Sequence, residues 1–135
     1  IKKLSLYRTY HGVTLSLPTQ MASSWAWRDD QHVVKNRLDY DIKYKTAISC
    51  LKSAGEISRP EGGFYIWLKV PCDDQEFAKS LYDNEGVLSL PGSYLGKENQ
   101  DINPGKGFVR LAVVHDLETI REAFIGVDNT LLRFQ

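Results

Sequence analysis

Cysteine, histidine and excess charge of either sign are scarce in this sequence. The chain of 135 residues contains only two cysteines and three histidines, and none of them has metal-ligand spacing. We therefore predict no metal site and two reduced thiols, as is typical of a cytoplasmic protein. The 17 basic and 17 acidic residues give a net charge of zero, which argues against nucleic acid as a partner. No apolar run is long enough to cross a bilayer and no signal peptide is recognisable, so no membrane association is predicted.

Sequence motifs of two common enzyme classes are also missing. The chain has no G-x-S-x-G, and residues 91–96 (PGSYLG) lack the Lys-Ser/Thr of a phosphate-binding loop, so they are interpreted as a turn. The first residue is Ile1 and the only methionine is Met21. We therefore expect the chain to be processed or to be a piece of something longer.

What is present is a predicted strand with an arginine at its centre. Residues 107–114 (GFVRLAVV) combine β-branched and aromatic side chains after a glycine. Alternation places Phe108, Arg110 and Ala112 on one side, and both sides are predicted to be buried. Arginine stays protonated and a buried unpaired charge is costly, so Arg110 must meet an anion. That anion is either a carboxylate of this chain or a bound carboxylate or phosphate, and the spacing leaves both open.

Helix and strand signals alternate along the rest of the chain. Helices are predicted at about residues 1–10, 18–29, 30–54, 74–86 and 116–134, and strands at 64–70, 87–90 and 107–114. An irregular loop occupies residues 91–106. This order predicts an α+β fold, with helices packed on a small sheet of three or four strands.

Several single residues have ordinary structural interpretations. Asp73 or Asp74 is expected to begin one helix and Asp116 another, as N-caps, and Gly86 to end one. Arg8 lies near the end of the first helix, where a cation is favoured by the helix dipole. The tryptophans occupy positions that predict burial in a core: Trp25, Trp27 and Trp67.

Three segments in order carry a family resemblance. Residues 61–68 (EGGFYIWL), 86–93 (GVLSLPGS) and 107–112 (GFVRLA) resemble the C-terminal part of the class I/II aminotransferases. These are fold-type-I enzymes that use pyridoxal 5′-phosphate. Residues 7–12 (YRTYHG), followed by LPTQ at 17–20, resemble the branch that contains the N-succinyldiaminopimelate aminotransferases of bacterial lysine biosynthesis.

The resemblance implies roles for two arginines. Arg110 falls on the position that binds the α-carboxylate of the amino-acid or keto-acid substrate as a two-pronged salt bridge. Arg8 lies in a segment that, in related homodimers, reaches the neighbouring subunit's active site and can meet a distal carboxylate of the substrate. The turn at residues 91–96 would form a lip of the site. The implied reaction is transfer of an amino group between glutamate and a keto acid.

The resemblance also implies what this chain does not contain. The lysine that forms the Schiff base precedes the first helix in the family, and Lys2 and Lys3 lack the serine-containing turn before it. Residues 1–28 are therefore expected to be the end of the large domain with a connecting helix, and residues 29–135 the small C-terminal domain. No catalytic or cofactor-binding residue is predicted here, so the chain alone should be inactive.

Two alternatives stay open at this point. The chain could be a stand-alone, non-catalytic domain that binds a carboxylate or a partner protein. It could also belong to a fold-type-I enzyme that catalyses another reaction with the same cofactor, such as β-elimination or decarboxylation, because residues upstream largely set the reaction.

Overall fold

Five helices and a small sheet make up the described part of the chain. The computed structural model describes residues 1–12, 14–100 and 102–135. Residues 1–37 and residues 38–135 form two separately packed units. The elements are α1 (Lys2–Tyr10), α2 (Leu17–Ala26), α3 (Gln31–Cys50), β1 (Tyr65–Lys69), α4 (Asp74–Glu85), β2 (Leu90–Pro91), a 3₁₀ turn (Gly92–Tyr94), β3 (Phe108–Ala112) and α5 (Leu117–Arg133).

The first unit contains α1, α2 and the start of α3. Pro18 lies in the first turn of α2, where its missing N–H has no helical partner. Neither α1 nor α2 has a buried residue. Trp25 and Trp27 expose 71% and 86% of their surface, and Trp67 in the second unit is half exposed. The prediction that the tryptophans lie in a core is therefore wrong, since burial depends on what packs against them and not on apolar character alone.

The helix ends of the second unit follow the capping residues expected from the sequence. The side chain of Asp73 accepts hydrogen bonds from the backbone N–H groups of Gln75 and Glu76 at the start of α4. Gly86 ends α4 with a φ of 67°, in the left-handed region that glycine adopts without strain. Asp116 caps α5 in the same way as Asp73 caps α4. These predictions are confirmed.

The sheet has three antiparallel strands in the order β1–β3–β2. β3 is central, and Arg110 lies opposite Trp67 of β1 and opposite Leu90 of β2. β2 begins later than predicted and includes Pro91, which pairs with Val109. Proline is tolerated here because β2 is an edge strand and its outer side needs no N–H donor.

The helices cover one face of the sheet. The face of β3 that carries Val109 and Leu111 is buried, whereas the face that carries Arg110 is only half-buried or exposed. The prediction that both faces are buried is wrong, because the helices of residues 38–135 pack on the Val109 face and leave the Arg110 face of this unit open. The core on the covered face consists of side chains from α3, the strands, α4 and α5: Tyr44, Ala47, Leu51, Ile66, Leu68, Val70, Phe77, Leu81, Val109, Leu111, Val113, Ile120, Phe124, Val127 and Leu131.

The architecture confirms the predicted α+β class and the smaller of the two predicted strand numbers. The predicted domain boundary after residue 28 stays a prediction. Of the predicted irregular loop, Asp101 lies outside the described residues. None of the described helices combines the length and the apolar character that crossing a membrane requires. No group of three or more His, Cys, Asp or Glu side chains in residues 1–12, 14–100 and 102–135 could hold a metal ion.

Candidate functional site

Arg110 lies at the centre of the open face of the sheet. Its guanidinium carbon is 4.1 Å from the centre of the Tyr65 ring. A guanidinium stacked on an aromatic face gains a cation–π attraction and keeps its plane fixed. The N–H groups at the edge of that plane stay available to an acceptor. Strand β3 and the Tyr65 ring thus orient the planar guanidinium of Arg110 and leave its N–H donors free.

No carboxylate of the described chain neutralises this arginine. The ion pairs among the described residues join other partners, and Arg110 donates no side-chain hydrogen bond within this part of the chain. The strand residues that share its face supply no acid and one further cation, Lys69. An internal salt bridge was one of the two partners left open by the sequence. The described residues do not provide it, so the face is set up to attract an anion.

The aromatic platform under Arg110 is itself held in place. The buried Tyr44 of α3 donates its hydroxyl hydrogen to the backbone carbonyl of Tyr65 at 3.3 Å. Burial raises the pKa of Tyr44, so the hydroxyl stays protonated and able to donate at neutral pH. On the other side, Phe64 lies 4.3 Å from Tyr65 between ring centres. The platform is therefore supported by α3 and by the start of β1.

The segment between β2 and β3, here called the lip loop (residues 92–100 and 102–106), closes into a narrow neck beside the sheet. Gly92 and Gly105 cross so closely that a Cβ added to Gly105 would lie 1.9 Å from the carbonyl oxygen of Gly92. Asn103 donates from Nδ2 to the Ser93 carbonyl at 2.8 Å and accepts from the N–H of Gly105 at 2.9 Å. Only glycine permits this approach of two backbones.

A buried carboxylate lies under the neck. Asp74 is fully buried, and its two oxygens accept from the N–H groups of Ser93 at 2.8 Å and Gly107 at 3.2 Å. Burial alone would raise the pKa of Asp74, but hydrogen bonding from the Ser93 side chain and from the backbone N–H groups of Ser93 and Gly107 outweighs it and lowers the pKa below the usual value. Asp74 is therefore ionised at neutral pH.

An apolar pocket of about 360 Å³ opens between the neck and the sheet. It includes Trp67, which lies directly opposite Arg110 in the strand register, and Phe108 two residues before Arg110. The other lining residues come from the lip loop: Leu95, Gly96, Pro104 and Gly105. The cation of Arg110 and this apolar surface therefore adjoin on the same face of the sheet.

Arg8, the second predicted binding residue, belongs to the first unit. It is exposed in the last turn of α1, where a cation is favoured by the helix dipole. No acid of the described residues pairs with it. Its helical position agrees with the ordinary structural interpretation, and its binding role stays a prediction.

Two residues of the site were missed from the sequence. Tyr65 lies in the predicted strand at residues 64–70, but its position under Arg110 depends on strand register. Asp74 was considered only as a helix cap. The signal was present in the repeated acid, because a helix has one N-cap and Asp73 fills that position, which leaves Asp74 for another purpose.

The chain belongs to the class I and II aminotransferase family. The family described as "Aminotransferase class I and II" matches residues 5–125, which is most of the chain. The three-stranded sheet with a central strand arginine lies inside this match. Members of this family use pyridoxal 5′-phosphate.

The chain is similar to part of several aminotransferases. It is 30% identical over 115 residues to LL-diaminopimelate aminotransferase of Nitratidesulfovibrio vulgaris. The aligned segment covers 82% of this chain and 28% of that protein. An aminotransferase structure from Neisseria meningitidis matches with a TM-score of 0.82 and 40% identity, over 99% of this chain and 34% of that one. A probable N-succinyldiaminopimelate aminotransferase from Thermus thermophilus matches with a TM-score of 0.56 and 31% identity, over 69% and 24%. The chain or its matched part thus spans only 24–34% of the length of these relatives.

The lysines of this chain lack the environment that is typical of a Schiff-base lysine. A lysine that forms a Schiff base is activated by desolvation or by a neighbouring cation. Every lysine of the chain is exposed except Lys43, which is half-buried. The Lys43 ammonium donates to the carbonyl of Val114 at 3.0 Å and lies over the Tyr40 ring. No described lysine is therefore suited to hold pyridoxal phosphate covalently.

Proposed function

We propose that this chain supplies substrate-carboxylate recognition to a pyridoxal-phosphate-dependent aminotransferase. The whole protein would transfer an amino group between glutamate and a keto acid, in the N-succinyl-diaminopimelate step of lysine biosynthesis. Family membership supports the reaction class. The similarity to LL-diaminopimelate aminotransferase of Nitratidesulfovibrio vulgaris and to a probable N-succinyldiaminopimelate aminotransferase of Thermus thermophilus supports a diaminopimelate-type substrate.

The observation that carries this proposal is that no carboxylate among residues 1–12, 14–100 and 102–135 pairs with Arg110. This half-buried arginine is stacked on Tyr65 and lies next to an apolar pocket, which suits a carboxylate joined to a carbon skeleton. The guanidinium fork matches the two carboxylate oxygens, and two parallel charge-assisted hydrogen bonds fix the orientation of the bound molecule. Because Arg110 lies on the central strand, this orientation is held by a rigid element.

The role of this chain is binding and orientation rather than bond making. The cofactor supplies the electron sink for the reaction when it is bound. Arg110 holds the carboxylate end of the substrate, and the pocket next to it excludes water from the adjoining carbons. By itself the chain should not catalyse transamination. Residues 1–28 would belong with the large domain, and residues 29–135 would form the small domain.

Arg8 is proposed to recognise a second carboxylate. The exposed position of Arg8 leaves its guanidinium free to meet a ligand outside its own unit. In a homodimer it would reach the active site of the neighbouring subunit. This assignment predicts selectivity for dicarboxylic substrates over monocarboxylic ones.

Kinetics of the whole protein test both assignments. Arg110→Lys replaces the fork with a point charge. The loss of about one charged hydrogen bond, worth roughly 1.5–3 kcal/mol, should lower kcat/KM for glutamate about 10- to 150-fold, mainly through KM. Arg121→Lys is the matched control, because Arg121 is exposed on α5 and no described acid pairs with it.

Arg8→Gln should raise KM for dicarboxylic substrates and leave monocarboxylic amino acids unaffected. Equal effects on both substrate types would show that Arg8 does not recognise the second carboxylate of the substrate. Wild-type kinetics in Arg110→Lys would show that Arg110 does not bind the substrate carboxylate. The proposed role of the chain would then have lost its support.

A further inference from the structure

We propose that Asp74 is a positioning residue for substrate binding: its carboxylate closes the neck of the lip loop and so holds that loop beside Arg110. This inference rests on the proposed function, because it assigns Asp74 a role in presenting the Arg110 site. Asp74 would act through the backbone around Arg110 and would not touch the substrate itself.

The two hydrogen bonds of Asp74 join points that are far apart in the sequence. Ser93 lies just after β2, and Gly107 lies just before β3, so the carboxylate bridges the two ends of the lip loop. Each N–H binds a different oxygen of the carboxylate. The bridge therefore needs both oxygens as acceptors, which an aspartate offers and an asparagine does not.

The surroundings of Asp74 leave the two loop N–H groups as the partners of its charge. It is completely buried at the first turn of α4, where the helix dipole favours a negative charge. No basic side chain of the described residues forms an ion pair with it. A buried carboxylate without a cation partner is tolerated only when N–H groups satisfy it, and the loop amides supply those donors.

The neck is coupled to Arg110 through the strand register. Leu90 pairs with Arg110 and is followed within three residues by Ser93, whereas Gly107 is three residues before Arg110. Opening the neck would let both backbone segments next to Arg110 move, the one that follows Leu90 and the one that precedes Arg110. It would also move the lip loop away from Trp67 and Phe108, and so would widen the apolar pocket.

A second bond set closes the neck from the opposite side. Asn103 bridges the Ser93 carbonyl and the Gly105 N–H. Unlike Asp74, it is only partly buried, so its substitution removes the same closure with less effect on folding. Asn103→Ala is therefore an independent test of the same neck.

The experiment compares substrate kinetics and amide hydrogen exchange in the whole protein. Asp74→Asn should raise KM for glutamate on the order of 10- to 100-fold, with a smaller change in kcat, because the binding groups are displaced and the reacting groups are not. Exchange of the Ser93 and Gly107 amides should become roughly 10-fold faster or more. Asn103→Ala should produce the same pattern.

Two control variants separate positioning from general destabilisation. Asp73→Asn removes the same charge one residue away but keeps a good N-cap, so KM should not change. Asp116→Ala removes the cap of α5, so exchange should become faster in α5 with no change in KM. An increase in KM in Asp116→Ala equal to that in Asp74→Asn would show a merely structural role and overturn the inference.

Arg110→Gln, measured beside these variants, tells the two proposals apart. If Arg110→Gln leaves KM unchanged, the proposed function fails. If Arg110→Gln raises KM while Asp74→Asn and Asn103→Ala do not, the proposed function stands and the positioning role of Asp74 is refuted. Should Asp74→Asn not fold, Asn103→Ala decides between these outcomes.

Discussion

Gly105→Ala should open the neck of the lip loop, because the added methyl group has no space. Its Cβ would lie 1.9 Å from the carbonyl oxygen of Gly92 and 2.5 Å from the carbonyl carbon. Ordinary contacts begin at 3.4 Å, so the two segments must separate by about 1.5 Å. Both contacts are with backbone, and no side-chain rotation can relieve them.

The expected loss of stability follows from the contacts that this separation breaks. Two hydrogen bonds hold the Gly92–Ser93 side of the neck: Asn103 donates from Nδ2 to the Ser93 carbonyl at 2.8 Å, and the N–H of Ser93 donates to Asp74 at 2.8 Å. Two such hydrogen bonds contribute about 1 kcal/mol each. Overpacking adds about 1–3 kcal/mol. The local free energy of opening should therefore fall by roughly 3–5 kcal/mol.

Native-state hydrogen exchange measures this quantity locally. The Ser93, Gly107 and Phe108 amides should exchange roughly 140- to 4,000-fold faster in Gly105→Ala than in the wild type. Gly62→Ala is the matched control, because a Cβ at Gly62 meets nothing within 4 Å and its φ suits alanine. That control should be unchanged or more stable by up to about 1 kcal/mol. Wild-type protection of the three amides in Gly105→Ala would refute the steric reasoning.

Two further predictions concern stability and its pH dependence. Phe77→Ala, at a fully buried site on α4, should lower the free energy of unfolding by about 3–5 kcal/mol, whereas Tyr82→Ala, exposed on the same helix, should change it by less than about 1 kcal/mol in urea titrations. The pKa of Asp74 lies below its ordinary value of 3.8 in the folded protein, so the unfolded chain takes up the proton first as the pH falls. Its contribution to stability is complete above that value and is lost as the pH falls through the lower, folded pKa. The stability difference between wild type and Asp74→Asn should therefore shrink below about pH 4, and a difference constant with pH would contradict this assignment.

Local sequence signals were sufficient where the physical cause is local. Asp73, Gly86 and Asp116 end or begin helices through contacts with residues at most four positions away. Such contacts recur with the same spacing in any protein, and therefore they can be recognised without knowing the fold. The same holds for the predicted strand at residues 64–70, because Ile66 and Leu68 alternate with aromatic neighbours at the spacing of two that any strand has.

Predictions failed where the outcome depends on distant parts of the chain. The edge position of β2 let Pro91 join the sheet, and no local pattern identifies an edge strand. Trp25 and Trp27 have the apolar character of core residues, yet no described element covers them. Burial is a property of the neighbours that pack on a residue, and those neighbours are not encoded at its own position.

For the candidate site, the sequence alone determined that an arginine lies at the centre of a strand. It also carried the order of segments that marks the aminotransferase family. Only the tertiary structure decided that Arg110 faces an open side of the sheet, that Tyr65 lies beneath it, and that Asp74 joins the ends of the lip loop. The reason is physical: strand alternation and helix caps are short-range, whereas strand register and loop closure arise from contacts between residues 19 to 45 positions apart in the chain.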